Sequence, residues 1–239
     1  QPGKAPLLEV VGKYDINDYK EKTELTIDKL RVTLMTALRS WNQMKEIEQL
    51  QRESEETQRE IILNLGELME ARSGETVYHV HRVAAITKLL AEHWGMPSGD
   101  LDLLALAAAF HDVGKIVIPE AILNKPGPLT PDEFLLIKEH ARIGRTILSK
   151  STRPLFRVAA IMSGQHHERY DGTGYPDALK GESIHPYGRI LALADVYDAL
   201  SHDRVYKKAW PQEQVLAYIR EQSGRHFDQI GRASCRERV

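Results

Sequence analysis

The chain has 239 residues, of which 42% are hydrophobic and 28% charged, and its formal net charge is −2. This composition suits a folded globular chain, and the near-neutral charge excludes the global basic field that favours bulk binding to DNA or RNA. The single cysteine, Cys235, excludes a disulfide framework and argues against a thiolate metal site, and no apolar run approaches the roughly 18 residues of a membrane span.

Residues 1–24 are polar and mixed, with Pro2, Gly3, Pro6 and Gly12. From Leu25 the apolar residues Ile27, Leu30, Leu34, Leu38 and Trp41 recur at helical spacing, and Met44, Ile47 and Leu50 continue the stripe. The run QRESEETQRE at 51–60 has no apolar residue, and Ile61, Ile62, Leu65, Leu68 and Met69 then restore the apolar face. The spacing predicts one long helical segment over 25–70. It serves either as a surface helix or as a coiled-coil linker that pairs two copies of the chain, and the polar run weakens the second reading. LDLLALAAAF at 101–110 predicts a buried helix. PEAILNKPGPLTP at 119–131 predicts a loop that ends with Thr130 as N-cap and Pro131 as first helical residue. Further helices are predicted over 134–148, 153–166, 189–200 and 211–222, with a Gly/Pro/Asp-rich loop at 168–188. No strand pair is expected, so the fold class is all-α. The tail GRASCRERV at 231–239 is foreign in composition, and with Gln1 rather than Met at the start, the chain reads as a fragment of a longer protein.

Ten histidines are present, and five of them fall among acids. His111-Asp112 follows the apolar run directly, where an unpaired carboxylate would cost several kcal/mol unless a cation or hydrogen-bond partner offsets it. His166-His167 also sits at a helix end, Asp195 lies within the apolar LALADVYDAL, and His79 and His140 lie on other predicted helices. Glu75 precedes His79 by four residues and shares its helical face if the helix has begun there. Each histidine taken alone is more often a satisfied or exposed side chain. Together they suit two or more borderline divalent metals such as iron or manganese.

HDVGK at 111–115, HHERYDGTGYP at 166–176 and DVYDAL at 195–200 resemble the HD-GYP subgroup of the HD phosphohydrolase superfamily. The likeness implies an HD-domain helical bundle over 62–230, and hydrolysis of the bacterial messenger cyclic di-GMP to linear pGpG or GMP by a metal-bridging hydroxide, in the cytoplasm. It implies metal ligation by His79, His111, Asp112, His140, His166, His167 and Asp195. Glu75 is a further carboxylate that would support a third ion. Lys115, Tyr175, Arg204 and Lys207 are implied in substrate binding, with Asp112 and Lys115 as the catalytic residues. Val77 and Val205 depart from residues often found there in the family. Residues 16–30 and LMTALRSW resemble the end of a response-regulator receiver domain, with Lys22 at its lysine. Residues 1–61 are therefore expected to be a receiver remnant plus helical linker. The alternatives are a related enzyme acting on another cyclic dinucleotide or nucleotide, or a domain that binds without turnover.

Overall fold

The computed structural model describes residues 26–74, 78–203 and 208–228. The receiver-like stretch before Thr26 with Lys22, together with Glu75, Val77, Arg204, Val205, Lys207 and the tail 231–239, lies outside them. The chain divides into two units, residues 1–57 and 58–239.

Helix α1, Ile27–Glu70, runs through that division, close to the segment predicted from periodicity. In the first unit its stripe of Leu30, Leu34, Trp41 and Met44 is exposed. The polar run remains helical because glutamate, glutamine and arginine are good helix formers. Pairs such as Gln49–Glu53 (2.9 Å) add a little more.

In the second unit the last turns of α1 bury Leu63, Gly66 and Glu70 on one face. A Cβ on Gly66 would lie 2.8 Å from the carbonyl oxygen of Ala109 and 2.9 Å from Val80, so glycine permits the close approach there. The remaining helices are α2 (His79–His93), α3 (Ser98–Ala108), α4 (Glu120–Leu123), α5 (Pro131–Leu148), α6 (Pro154–Gln165), α7 (Pro186–Ser201) and α8 (Gln212–Glu221). No strand forms among the described residues; an isolated bridge joins Ser223 and Phe227. The all-α expectation holds.

The core gathers Leu104, Met162, Ile190 and Leu191 with the small residues Ala107, Ala108, Ala159 and Ala194. Each fully buried large aliphatic contributes about 1.5–3 kcal/mol. The alanines bring α3, α6 and α7 close together, and the chemistry-bearing residues leave this core at helix ends. Thr130 caps α5 as predicted: the Glu133 amide donates to its hydroxyl (3.3 Å), and its own amide donates to the Glu133 carboxylate (2.7 Å). Tyr78 is left-handed (φ 67°) and α2 starts at His79.

Candidate metal centre

Five helices or their ends deliver ligand-capable side chains to one place. His79 opens α2, His111 and Asp112 follow α3, His140 lies in α5, His166 and His167 follow α6, and Asp195 lies in α7. Three overlapping clusters result: Asp112, His140, His166 and His167; His79, His111 and Asp195; and Glu70, His111 and Asp112. Asp112 joins two of them. Its Oδ1 lies 3.0 Å from His140 Nε2 and 3.5 Å from His166 Nε2, while its Oδ2 lies 3.3 Å from His111 Nε2 and 2.6 Å from Lys115 Nζ.

Four of the imidazoles are pinned from behind through Nδ1. His111 pairs with the Ala108 carbonyl (2.8 Å), His140 with Ile137 (2.6 Å), His166 with Ser163 (2.9 Å), and His79 with the Asp198 carboxylate (2.7 Å). Donation from Nδ1 leaves Nε2 of each ring as the lone-pair nitrogen. The Nε2 atoms of His140 and His166 then face each other at 3.4 Å. His111 Nε2 and Asp112 Oδ1 are buried and make no hydrogen bond of good geometry, despite their ion-pair distances. Converging lone pairs and orphaned acceptors are costly unless a cation joins them. The residues present therefore fit divalent metal ions, and a nitrogen and oxygen donor set without thiolate suits first-row metals.

The electrostatics agree. Burial disfavours the His111 cation, yet the carboxylates of Asp112, Asp195 and Glu70 outweigh burial and raise its pKa to about 10, which marks an excess of negative charge. Burial lowers the pKa of His166, and burial with the neighbouring His166 and His140 lowers that of His167 further, so both stay neutral and ready to ligate. Burial, then the Asp112 and Asp195 carboxylates, push the Tyr175 hydroxyl up, so it remains a hydrogen-bond donor.

The HD-domain family profile matches residues 48–230. The chain belongs to the HD-domain family. Among its HD relatives are the cyclic di-GMP phosphodiesterase response regulator RpfG of Xanthomonas campestris pv. campestris (45% identity; 74% of this chain, 47% of the relative) and the 3'3'-cGAMP-specific phosphodiesterase 2 of Vibrio cholerae (44%; 72% and 33%). The HD chain spans less than half the length of these curated relatives. A solved cyclic GMP-AMP-specific phosphodiesterase of V. cholerae, V-cGAP3, shares the fold, with a TM-score of 0.55 at 18% identity over 75% of this chain and 49% of that one. The motifs at 111–115, 166–176 and 195–200 mark the HD-GYP type.

The seven residues predicted as ligands all fall in the clusters described above. Lys115 lies in a 3-10 turn, Val113–Val117, rather than an α-helical one, with its ammonium between Asp112 and Glu70. Tyr175 is stacked on His167 (centroids 4.7 Å apart), and the Lys138 ammonium lies 5.2 Å from its ring centroid. Gly174 permits a close approach of the chain's own backbone: a Cβ there would meet Glu168 Cα at 2.5 Å, the His167 oxygen at 2.6 Å and the Arg169 nitrogen. Gly172 is left-handed (φ 84°). Glu75, Arg204 and Lys207 lie outside the described residues.

Three buried carboxylates went unread in the sequence. Glu70 reaches Lys115 (3.2 Å). Asp198 holds His79 and forms a two-point pair with Arg82 (2.6 and 3.0 Å). Glu168 accepts the amides of Asp177 (2.8 Å) and Leu179 (2.9 Å), tying down the loop that carries Tyr175. Only Asp198 left a signal, as the second acid of an apolar helical run.

Proposed function

We propose that the chain is a metal-dependent phosphodiesterase that hydrolyses cyclic di-GMP to linear pGpG and/or GMP, in the cytoplasm of a bacterium. The observation that carries this reading is the set of four imidazoles locked through Nδ1, three of them with Nε2 at 3.0–3.5 Å from Asp112 and the fourth, His79, with Nε2 3.8 Å from Asp195. His79, His111, Asp112, His140, His166, His167 and Asp195 would hold two divalent ions, iron and/or manganese, and a third ion would draw on Glu75. Bound there, the ions supply Lewis-acid polarisation of a phosphate oxygen and a water acidified towards neutral pH. The remaining work belongs to the chain. Asp112 joins the cluster of His140, His166 and His167 to that of Glu70 and His111, Lys115 offsets charge building on the phosphate, the Tyr175 hydroxyl donates a hydrogen bond, and Arg204 and Lys207 bind phosphate. The exposed stripe of α1 supports pairing of two copies of the chain.

A second substrate has equal support from similarity, because the relatives named for cyclic di-GMP and for 3'3'-cGAMP match almost equally well. The test is to load the chain with iron(II) or manganese under reducing conditions and separate the products from each dinucleotide by chromatography. Turnover of cyclic di-GMP is expected, abolished by joint His111→Ala and Asp112→Ala substitution in a chain that still folds. No turnover of either dinucleotide by the loaded chain would refute the enzymatic reading. Sedimentation of the chain with and without Leu34→Glu and Trp41→Glu tests the pairing; a monomer in both cases would refute it.

A further inference from the structure

Glu70 is the last residue of α1 and is almost fully buried. A carboxylate is costly in such a place, so its partners indicate its use. Its Oε2 lies 3.2 Å from Lys115 Nζ and 3.0 Å from the Ser73 hydroxyl. Lys115 Nζ lies a further 2.6 Å from Asp112 Oδ2. The ammonium is thus set between two carboxylates at the rim of the ligand clusters. Asp112 also faces His111, His140 and His166, so its charge is shared with whatever cation those rings hold. Glu70 lies within ligand reach of His111 and Asp112 but outside the cluster of His140, His166 and His167, and the Lys115 ammonium is the cation it meets directly. Its own position is fixed by the tight seat of Gly66 against Ala109 and Val80, one turn earlier in the same helix.

We propose that Glu70 is a positioning residue for Lys115: the end of α1 sets where the cationic group that faces the phosphate stands. This rests on the phosphodiesterase reading. A consequence follows for α1. Any displacement of its last turn along or about the axis shifts Glu70 and, with it, Lys115.

The experiment is a double-mutant cycle on the metal-loaded chain, with Glu70→Gln, Lys115→Ala and both together. Glu70→Gln is expected to lower kcat by about 100-fold, as for a misplaced group, with KM and bound metal within twofold of the parent. In the Lys115→Ala background the same change is expected to cost less than twofold. Glu70→Asp is expected to recover part of the rate. Loss of one equivalent of metal in Glu70→Gln would overturn the proposal by making Glu70 a ligand. Equal losses in both backgrounds, or no loss in either, would also overturn it. A readout independent of turnover is the rate at which acetic anhydride labels Lys115, followed by mass spectrometry. Glu70→Gln is expected to speed it at least fivefold. If the parent turns over no cyclic dinucleotide but this acceleration appears, the function fails and the positioning stands; if turnover appears without the acceleration, the positioning fails.

Discussion

Replacing Asp198 strikes the support of the metal centre without touching a ligand. Its side chain is 1% exposed and has four polar contacts: His79 Nδ1 at 2.7 Å, Arg82 Nε at 2.6 Å, Arg82 Nη2 at 3.0 Å and His202 Nδ1 at 3.0 Å. Burial opposes its charge, but His79 and Arg82 overcome that and hold its pKa at about 2. Removing one partner of a buried ion pair costs about 3–5 kcal/mol, because the charge left behind has no compensation. Asp198→Ala removes the carboxylate shared by the Arg82 guanidinium and the His79 N–H, so a loss of up to about 3–5 kcal/mol is expected in the metal-stripped chain, measured by urea unfolding followed by circular dichroism. Asp198→Asn keeps the volume and one acceptor, so it should lose less than Asp198→Ala. Its metal affinity should still fall by about 10- to 100-fold, since a neutral amide with one oxygen, contested by Arg82, holds the His79 tautomer less firmly. Competition against a chelator reads that affinity. Asp198→Ala with stability within 0.5 kcal/mol of the parent (about the ordinary scatter of surface substitutions), or Asp198→Asn with unchanged metal affinity, would refute the reasoning.

Three other substitutions test separate parts of the fold. Gly174→Ala forces a Cβ onto the backbone of residues 167–169. At least about 2–3 kcal/mol of stability should be lost, with weakened metal retention, whereas Gly99→Ala, which meets nothing within 4 Å in the first turn of α3, should be neutral or stabilising by up to about 1 kcal/mol. Equal thermal shifts in the two variants would refute this. Thr130→Ala removes one half of the capping box of α5 and should cost about 1 kcal/mol in urea unfolding. Burial, then the nearby Arg169, lowers the His226 pKa to about 4. The unfolded imidazole takes up a proton near pH 6.5 that the folded one refuses, so this histidine costs no stability above pH 6.5. The loss grows as pH falls from 6.5 to 4, by up to about 3 kcal/mol. The metal-stripped parent should therefore lose more stability than His226→Gln over that window; parallel pH curves would sink the assignment.

The distribution of successes along the sequence has a physical cause. His111-Asp112 and His166-His167 announced themselves because each pair directly follows a strongly apolar helix, where polar side chains must have a reason to be. Thr130 and Pro131 were legible because a helix cap is a contract among neighbours within four residues. The residues that escaped notice act across the fold. Asp198 is 119 positions from His79 and Glu70 is 45 from Lys115, and no local pattern states which partner a buried carboxylate meets. Gly174 lies in a stretch legible only as a Gly/Pro/Asp-rich loop, and that residues 167–169 crowd its Cβ position depends on how the loop closes. The same limit applies to Lys115, whose implied place in substrate binding says nothing of its carboxylate partners. A lysine one turn past a His-Asp pair looks solvated in sequence, whereas here it stands 2.6 Å from one carboxylate and 3.2 Å from another. A cation held between two anions is directed rather than mobile. The phosphate-facing role assigned to Lys115 therefore depends on the residues that aim it, and one of those, Glu70, belongs to the helix that carries the exposed stripe.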